Sequence, residues 1–169
     1  MTKPNPDKHA EGAMLTELYS RPGFMLRRAH QIAIDLFVQA CLPVNITPSQ
    51  YGVLYIVNTL GSLSQIGISR LIGLDRSTTA LVVKLLTDRG LLTKTQSTED
   101  ARKIEIQLTN EGKKIFREAQ KLAEYEMKTL LEPFTNKESE QFLRLLEKFV
   151  SYHNDTTRVS ITGSSSSNN

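Results

Sequence analysis

At Gly90 the repeat of apolar side chains changes period. Over residues 76–89, laid out at about 100° per residue, Thr79, Val82, Val83 and Leu86 share one side while Ser77, Ala80, Leu81, Lys84 and Asp88 share the other. Past Gly90, Leu91, Leu92 and Thr93 lead out and Gln96 to Asp100 form a polar tip. Lys103-Ile104-Glu105-Ile106-Gln107-Leu108 then alternates strictly, which predicts a β-hairpin with one buried face. Upstream, Ser64 caps a short helix carrying Ile68, Leu71 and Ile72 to Gly73, and Asp75 caps the next helix. Two short helices joined by a tight Gly-Leu-Asp link form a helix-turn-helix pattern, and a hairpin follows it at once. Few arrangements of a chain satisfy that order.

The flanks are helical. Residues 1–12 are polar with two prolines and are expected to fray. A helical pattern over 13–45 is interrupted or entered at Arg21-Pro22-Gly23. It continues as an apolar stripe of Met25, Ala29, Ile32, Ala33, Leu36, Phe37 and Ala40, which Leu42-Pro43 ends. Thr47-Pro48-Ser49-Gln50 is a capping box opening a helix through Tyr51, Leu54, Tyr55 and Val57, with Gly61 at its end. Thr109 caps a helix running through Ile115, Phe116, Ala119, Leu122 and Ala123 toward Leu131, and Pro133 breaks it. A second capping box, Thr135 to Glu138, opens a last helix along Phe142, Leu145, Leu146, Phe149 and Val150. The expected divisions are thus 1–12, 13–45, 46–112, 113–153 and a disordered Ser/Asn-rich tail over 154–169.

Composition removes several classes of function. The single cysteine, Cys41, excludes an internal disulfide and fits a reducing compartment. No signal-peptide core opens the chain and no run of 18 apolar residues spans a membrane, so the expected location is cytoplasmic. His9, His30 and His153 are scattered; no His/Cys/Asp cluster has metal spacing, and neither a phosphate loop nor a nucleophile elbow is present. Neither catalytic residues, metal nor cofactor is expected, so the chain is not read as an enzyme. The net charge of +3 is too small for wholesale polyanion binding, but residues 68–104 hold seven basic side chains against four acidic ones. That window carries as much net charge as the whole chain.

The second of the two short helices suits a nucleic acid. Its outer face is small, hydroxylic and basic, with Arg76 and Thr78 near the N-terminus and Ser77, Ala80, Leu81 and Lys84 outward. Such a face approaches base edges in a major groove, and the N–H groups at the helix front favour a phosphate. A solvated helix face with a good cap has the same pattern. The hairpin shifts the balance, because its tip sets Arg102 and Lys103 where a wing meets the neighbouring minor groove. Asp100, two residues away, is placed to hold Arg102 extended.

These residues resemble the MarR family of bacterial winged-helix regulators. The resemblance rests on L-D-R-S-T at Leu74 to Thr78 and R-G-L at Arg89 to Leu91. Asp100, Arg102, Ile104, Ile106, Leu108, Thr109 and Gly112 complete it. With the flanking helices in matching order it extends over about residues 15–152. It implies a mainly α fold: a winged helix-turn-helix with a two-stranded wing and a helical dimerisation region built from the first and last two helices. It also implies a homodimer on double-stranded DNA at a pseudo-palindromic operator, usually as a repressor. Leu81 and Ala80 depart from the family, where polar or basic groups and Thr are frequent, and both suit contact with thymine methyl groups instead.

Many members of that family release DNA when a phenolic or aromatic carboxylate binds between the dimerisation helices and the winged-helix lobe. The stretch Arg21 to Gln31 resembles members that control aromatic-acid breakdown, nicotinate pathways included. Arg28 and His30 flank the apolar stripe, and Phe37, Tyr51 and Tyr55 supply aromatic walls, so these five are the candidate effector residues. Arg28 and His30 equally suit interhelical salt bridges or solvent. Two other readings stay open: a redox-responsive regulator acting through Cys41, and a winged-helix module that binds protein rather than DNA. Cys41 is expected to be inert, because the negative end of a helix disfavours a thiolate.

Overall fold

The computed structural model describes residues 15–96, 104–157 and 159–161. Two compact units, 1–36 and 37–169, make up the chain. In the first, residues 15–20 are helical (α1), Arg21 interrupts, and α2 (Pro22–Ala40) begins on the proline, whose missing N–H costs nothing at a first helical position. Tyr19 packs on Phe24 at 5.2 Å, Arg27 lies 4.8 Å from the Phe24 ring centre, and Glu17 pairs with Arg21 at 2.7 Å. Met25, Ala29 and Ile32 of the α2 stripe are exposed, Ala33, Leu36 and Ala40 are half-buried, and Phe37 is buried.

The second unit takes in the last turn of α2 and the 3-10 turn Leu42–Val44. α3 (Pro48–Leu60), α4 (Gln65–Ile72), α5 (Arg76–Asp88), β1 (Leu92–Gln96), β2 (Ile104–Leu108), α6 (Asn110–Leu131) and α7 (Asn136–His153) follow. Each cap does what its chemistry dictates. Thr47 and Gln50 close a reciprocal box, as do Thr135 and Glu138. Ser64 Oγ accepts the Gly67 N–H at 3.1 Å, and Thr109 Oγ1 that of Gly112 at 2.9 Å. Gly90 turns the chain into β1 at φ 71°, where a side chain would be strained.

α3, α4 and α5 enclose one core with the hairpin and the front of α6. Cys41, Val53, Leu54, Val57, Ile68, Val83, Leu86, Leu92, Ile106, Phe116 and Ala119 are all buried there. The strands pair antiparallel from Leu92 opposite Leu108 to Gln96 opposite Ile104. Leu63 joins as a one-residue third strand, exchanging both backbone hydrogen bonds with Ile106 at 3.2 and 2.8 Å. That bridge pins the wing to the α3–α4 link. The alternation in β2 buries less than its pattern promised: Ile106 is enclosed, but Ile104 is 49% exposed. Ile104 sits at the far end of β2, beyond Ile106, which is the residue held by the Leu63 bridge.

Two further differences concern the C-terminal part. α7 has the predicted cap and apolar residues, yet none of its side chains is buried, and Phe142, Leu145, Leu146, Phe149 and Val150 face outward. The segment after it is not structureless at its start, contrary to expectation. Asn154–Thr156 form a 3-10 turn, and the Asn154 side chain grips both backbone groups of Ile161, at 2.9 and 3.2 Å. Ile161 then lies so close to Gly73 that a Cβ on the glycine would come within 2.9 Å of it. Residues 162–169 lie outside those described.

Candidate nucleic-acid interface

α5 carries the candidate recognition residues. Its inner face is as the 100° layout predicts: Thr79, Val82, Val83 and Leu86 are buried against α3, α4 and β1. The opposite face is left to solvent. Arg76, Ser77, Leu81 and Lys84 are exposed, Leu81 by 56%, while Thr78 and Ala80 are half-buried. The rear of the helix is therefore fixed in the core and its front is free to meet a partner. Arg102 and Lys103, expected at the wing tip, lie outside the described residues.

Hydrogen bonding sharpens this surface. Asp75 caps α5 through the Thr78 N–H at 2.9 Å, and it also accepts the Ser77 hydroxyl at 2.5 Å and the Thr78 hydroxyl at 2.7 Å. The Ser77 hydroxyl and then the Thr78 N–H hold the Asp75 carboxyl well below the usual carboxylate range, because each stabilises the ionised form. The Thr78 N–H is thus already satisfied, and a carboxylate occupies the place where a phosphate was expected. Farther along, Lys84 Nζ pairs with Asp88 at 2.5 Å one turn away, so this cation is held along the helix.

Arg89, at the C-terminal cap, is exposed but turns its guanidinium back onto the protein. Its guanidinium donates to the carbonyl oxygens of Asn45 at 2.5 Å and Val44 at 3.0 Å. The positive charge that the sequence places beside the recognition helix is here a structural brace. At the wing base, the Ser62 hydroxyl donates to Glu105 and accepts from the Gln107 amide at 3.1 Å, binding β2 to the α3–α4 link.

The candidate effector residues divide between the two units. Phe37, Tyr51 and Tyr55 do come together: Phe37 and Tyr51 are 5.4 Å apart between ring centres, and Tyr51 and Tyr55 6.1 Å. Phe116 completes the cluster, stacked on Tyr51 at 5.9 Å and edge-on to Tyr55 at 5.8 Å. Its spacing places it only in the α6 stripe, and nothing in sequence order links it to tyrosines some sixty residues earlier. Burial pushes the Tyr51 hydroxyl up, with Tyr55 adding to it. Burial, and then Glu126, push the Cys41 thiol up as well. Arg28 and His30 belong to the first unit, where both are exposed and neither has a hydrogen bond or ion pair among the described residues.

A three-helix core whose third helix bares one face, followed by a two-stranded hairpin braced on a third strand, defines a winged helix-turn-helix protein. Residues 46–104 match the model of the MarR family. The chain is similar to the regulator PcaV of Streptomyces coelicolor, solved with its natural ligand, at 31% identity and a TM-score of 0.72, covering 79% of this chain and 94% of that one. It is also similar to BpsR of Bordetella bronchiseptica, whose DNA binding is regulated by 6-hydroxynicotinic acid. Identity there is 26% and the TM-score 0.73, over 78% of this chain and 94% of that one. A putative transcriptional regulatory protein for the hcr operon of Thauera aromatica is 31% identical over 102 residues, spanning 60% of this chain and 59% of that protein. The chain belongs to the MarR family.

Proposed function

We propose that this chain is a dimeric DNA-binding transcriptional regulator, a repressor released from a pseudo-palindromic operator by a small aromatic acid. The observation that carries the DNA reading is the two-sidedness of α5: Thr79, Val82, Val83 and Leu86 are sealed in the core while Arg76, Ser77, Leu81 and Lys84 are open. In this reading those residues, with Thr78 and Ala80, face the major groove, and Arg102 and Lys103 of the wing meet the phosphates and minor groove alongside.

The dimer is supported by apolar surface that a lone chain leaves wet. Phe142, Leu145, Leu146, Phe149 and Val150 on α7, and Met25 and Ile32 on α2, are exposed at helical spacing. A second copy is the natural cover for so much apolar area. The divisions at 13–45 and 113–153 then serve dimerisation, and 46–112 serves DNA.

The effector reading rests on the ring cluster of Phe37, Tyr51, Tyr55 and Phe116, together with relatives described with ligands. Arg28 and His30, on the first unit, are proposed as candidate cations for an acidic effector, a role that substitution tests. The ligand acts by population shift, binding better to a dimer whose recognition helices are wrongly spaced for successive major grooves.

A binding titration on genomic fragments at several salt concentrations tests the core of this. Sequence-selective, salt-sensitive binding is expected, and its absence would overturn the reading. Arg102→Ala should weaken all DNA alike and reduce the salt slope by about one. Arg28→Ala or His30→Ala should leave operator binding intact yet abolish release by aromatic acids, and loss of dimerisation in those variants would assign both residues to structure.

A further inference from the structure

Three consecutive hydroxyls open α5, and all three give their protons to one residue. Ser77 and Thr78 donate to the two carboxylate oxygens of Asp75, and Thr79 donates to the Asp75 backbone carbonyl at 2.9 Å. The direction is not arbitrary. An aspartate carboxylate at neutral pH and a backbone carbonyl have no proton to offer, so each hydroxyl has to be the donor. Thr79 is buried, whereas Ser77 is exposed and Thr78 partly so. A hydroxyl has one proton and two lone pairs. What Ser77 and Thr78 keep for the outside is acceptors only.

We propose that Ser77 and Thr78 read DNA solely as hydrogen-bond acceptors, so that the front of α5 selects base edges carrying an amino group in the major groove. Those edges are adenine N6 and cytosine N4, and the acceptors of guanine O6 and N7 and thymine O4 are refused. This rests on the DNA-binding reading above and gives it a chemical polarity. Facing guanine O6 or N7, either hydroxyl would have to turn its proton outward. That would strip a charge-assisted bond from Asp75 and leave its carboxylate short of donors beside the DNA phosphates, a loss of about ten-fold in affinity per bond. The same carboxylate disfavours a phosphate at the front of α5, so the polarity of this end is set for bases.

The experiment uses the full chain and an operator isolated from genomic fragments by selection. The contacted base pairs are those whose discrimination relaxes in Ser77→Ala or Thr78→Val. At these pairs, 2-aminopurine in place of adenine moves the amino group out of the major groove, and N4-methylcytosine blocks that of cytosine. Either change should weaken binding about ten-fold, while 7-deazapurines, which remove N7, should change it less than about two-fold. Asp75→Asn keeps an oxygen for the Thr78 N–H but supplies its own donors, so one hydroxyl proton is released and the penalty for the amino-group analogues should shrink. Sensitivity to 7-deazapurines that vanishes in Ser77→Ala would overturn the assignment, as would indifference to every analogue or no relaxed position in either variant. Failure of the unaltered chain to select any sequence would instead sink the regulator reading itself.

Discussion

Arg89 reaches Asn45, 44 positions earlier in the chain, and donates to its backbone carbonyl at 2.5 Å. Asn45 is in the left-handed region at φ 51°, the one such non-glycine among the described residues, and it ends the turn that follows α2. The end of the candidate recognition helix is thereby tied to the link between α2 and α3.

Because this guanidinium is spent on carbonyls, Arg89→Ala should behave unlike the loss of a phosphate contact. Stability should fall by about 1–2 kcal/mol as two charge-assisted hydrogen bonds disappear. The slope of DNA affinity against salt should stay unchanged, whereas losing a phosphate contact lowers it by about one. Arg89→Lys should restore little, since one ammonium lacks the planar fork that spans both oxygens. Denaturant unfolding and a salt titration on the same variants decide it.

Gly112 is tested by reversing a familiar rule. Alanine for glycine inside a helix ordinarily stabilises by up to about 1 kcal/mol. Here the added Cβ would run into the Leu91 carbonyl oxygen, a backbone atom that no side-chain rotation moves away. Gly112→Ala should therefore destabilise by about 2–3 kcal/mol and loosen α6 from the start of the wing. A denaturation midpoint equal to or above that of the unaltered chain would refute the tight approach.

Asp75 predicts an acid response. Its folded carboxyl titrates below the ordinary aspartate value of about 3.9, first through Ser77 and then through the Thr78 N–H. A lowered folded value means that Asp75 stabilises the fold fully above the unfolded value, and that this contribution is lost as pH falls toward the folded one. Asp75→Ala should be less stable than the unaltered chain from about pH 6 down to about pH 4, and the gap should close only as the pH falls further, toward the folded value. Urea midpoints across that range measure the convergence.

Cys41 has no exposed surface and a thiol pushed up by burial. It should react with a disulfide reagent on the order of 100-fold more slowly in the folded chain than in urea. Cys41→Ser should cost about 1–3 kcal/mol by burying a hydroxyl in an apolar site. Rapid modification of the folded protein, accompanied by loss of DNA binding, would revive the redox reading.

Much of this architecture was written locally. Thr47, Ser64, Asp75, Thr109 and Thr135 mark helix starts through bonds spanning three residues. Gly90 marks the passage into β1, and the period of residues 76–89 separates the buried side of α5 from the open one. Such features depend on chain geometry over a few residues, so sequence order is enough to place them. The direction of the Ser77 and Thr78 protons is equally short-range, but it needed the position of the Asp75 carboxylate to be known. Only tertiary structure decided the rest: Arg89 on Val44 and Asn45, Leu63 beside Ile106, Phe116 against Tyr51, and Ile161 at Gly73. Each of those joins residues that sequence spacing leaves unrelated. Their partners are chosen by which surfaces the packed core brings face to face, a choice that no local propensity contains.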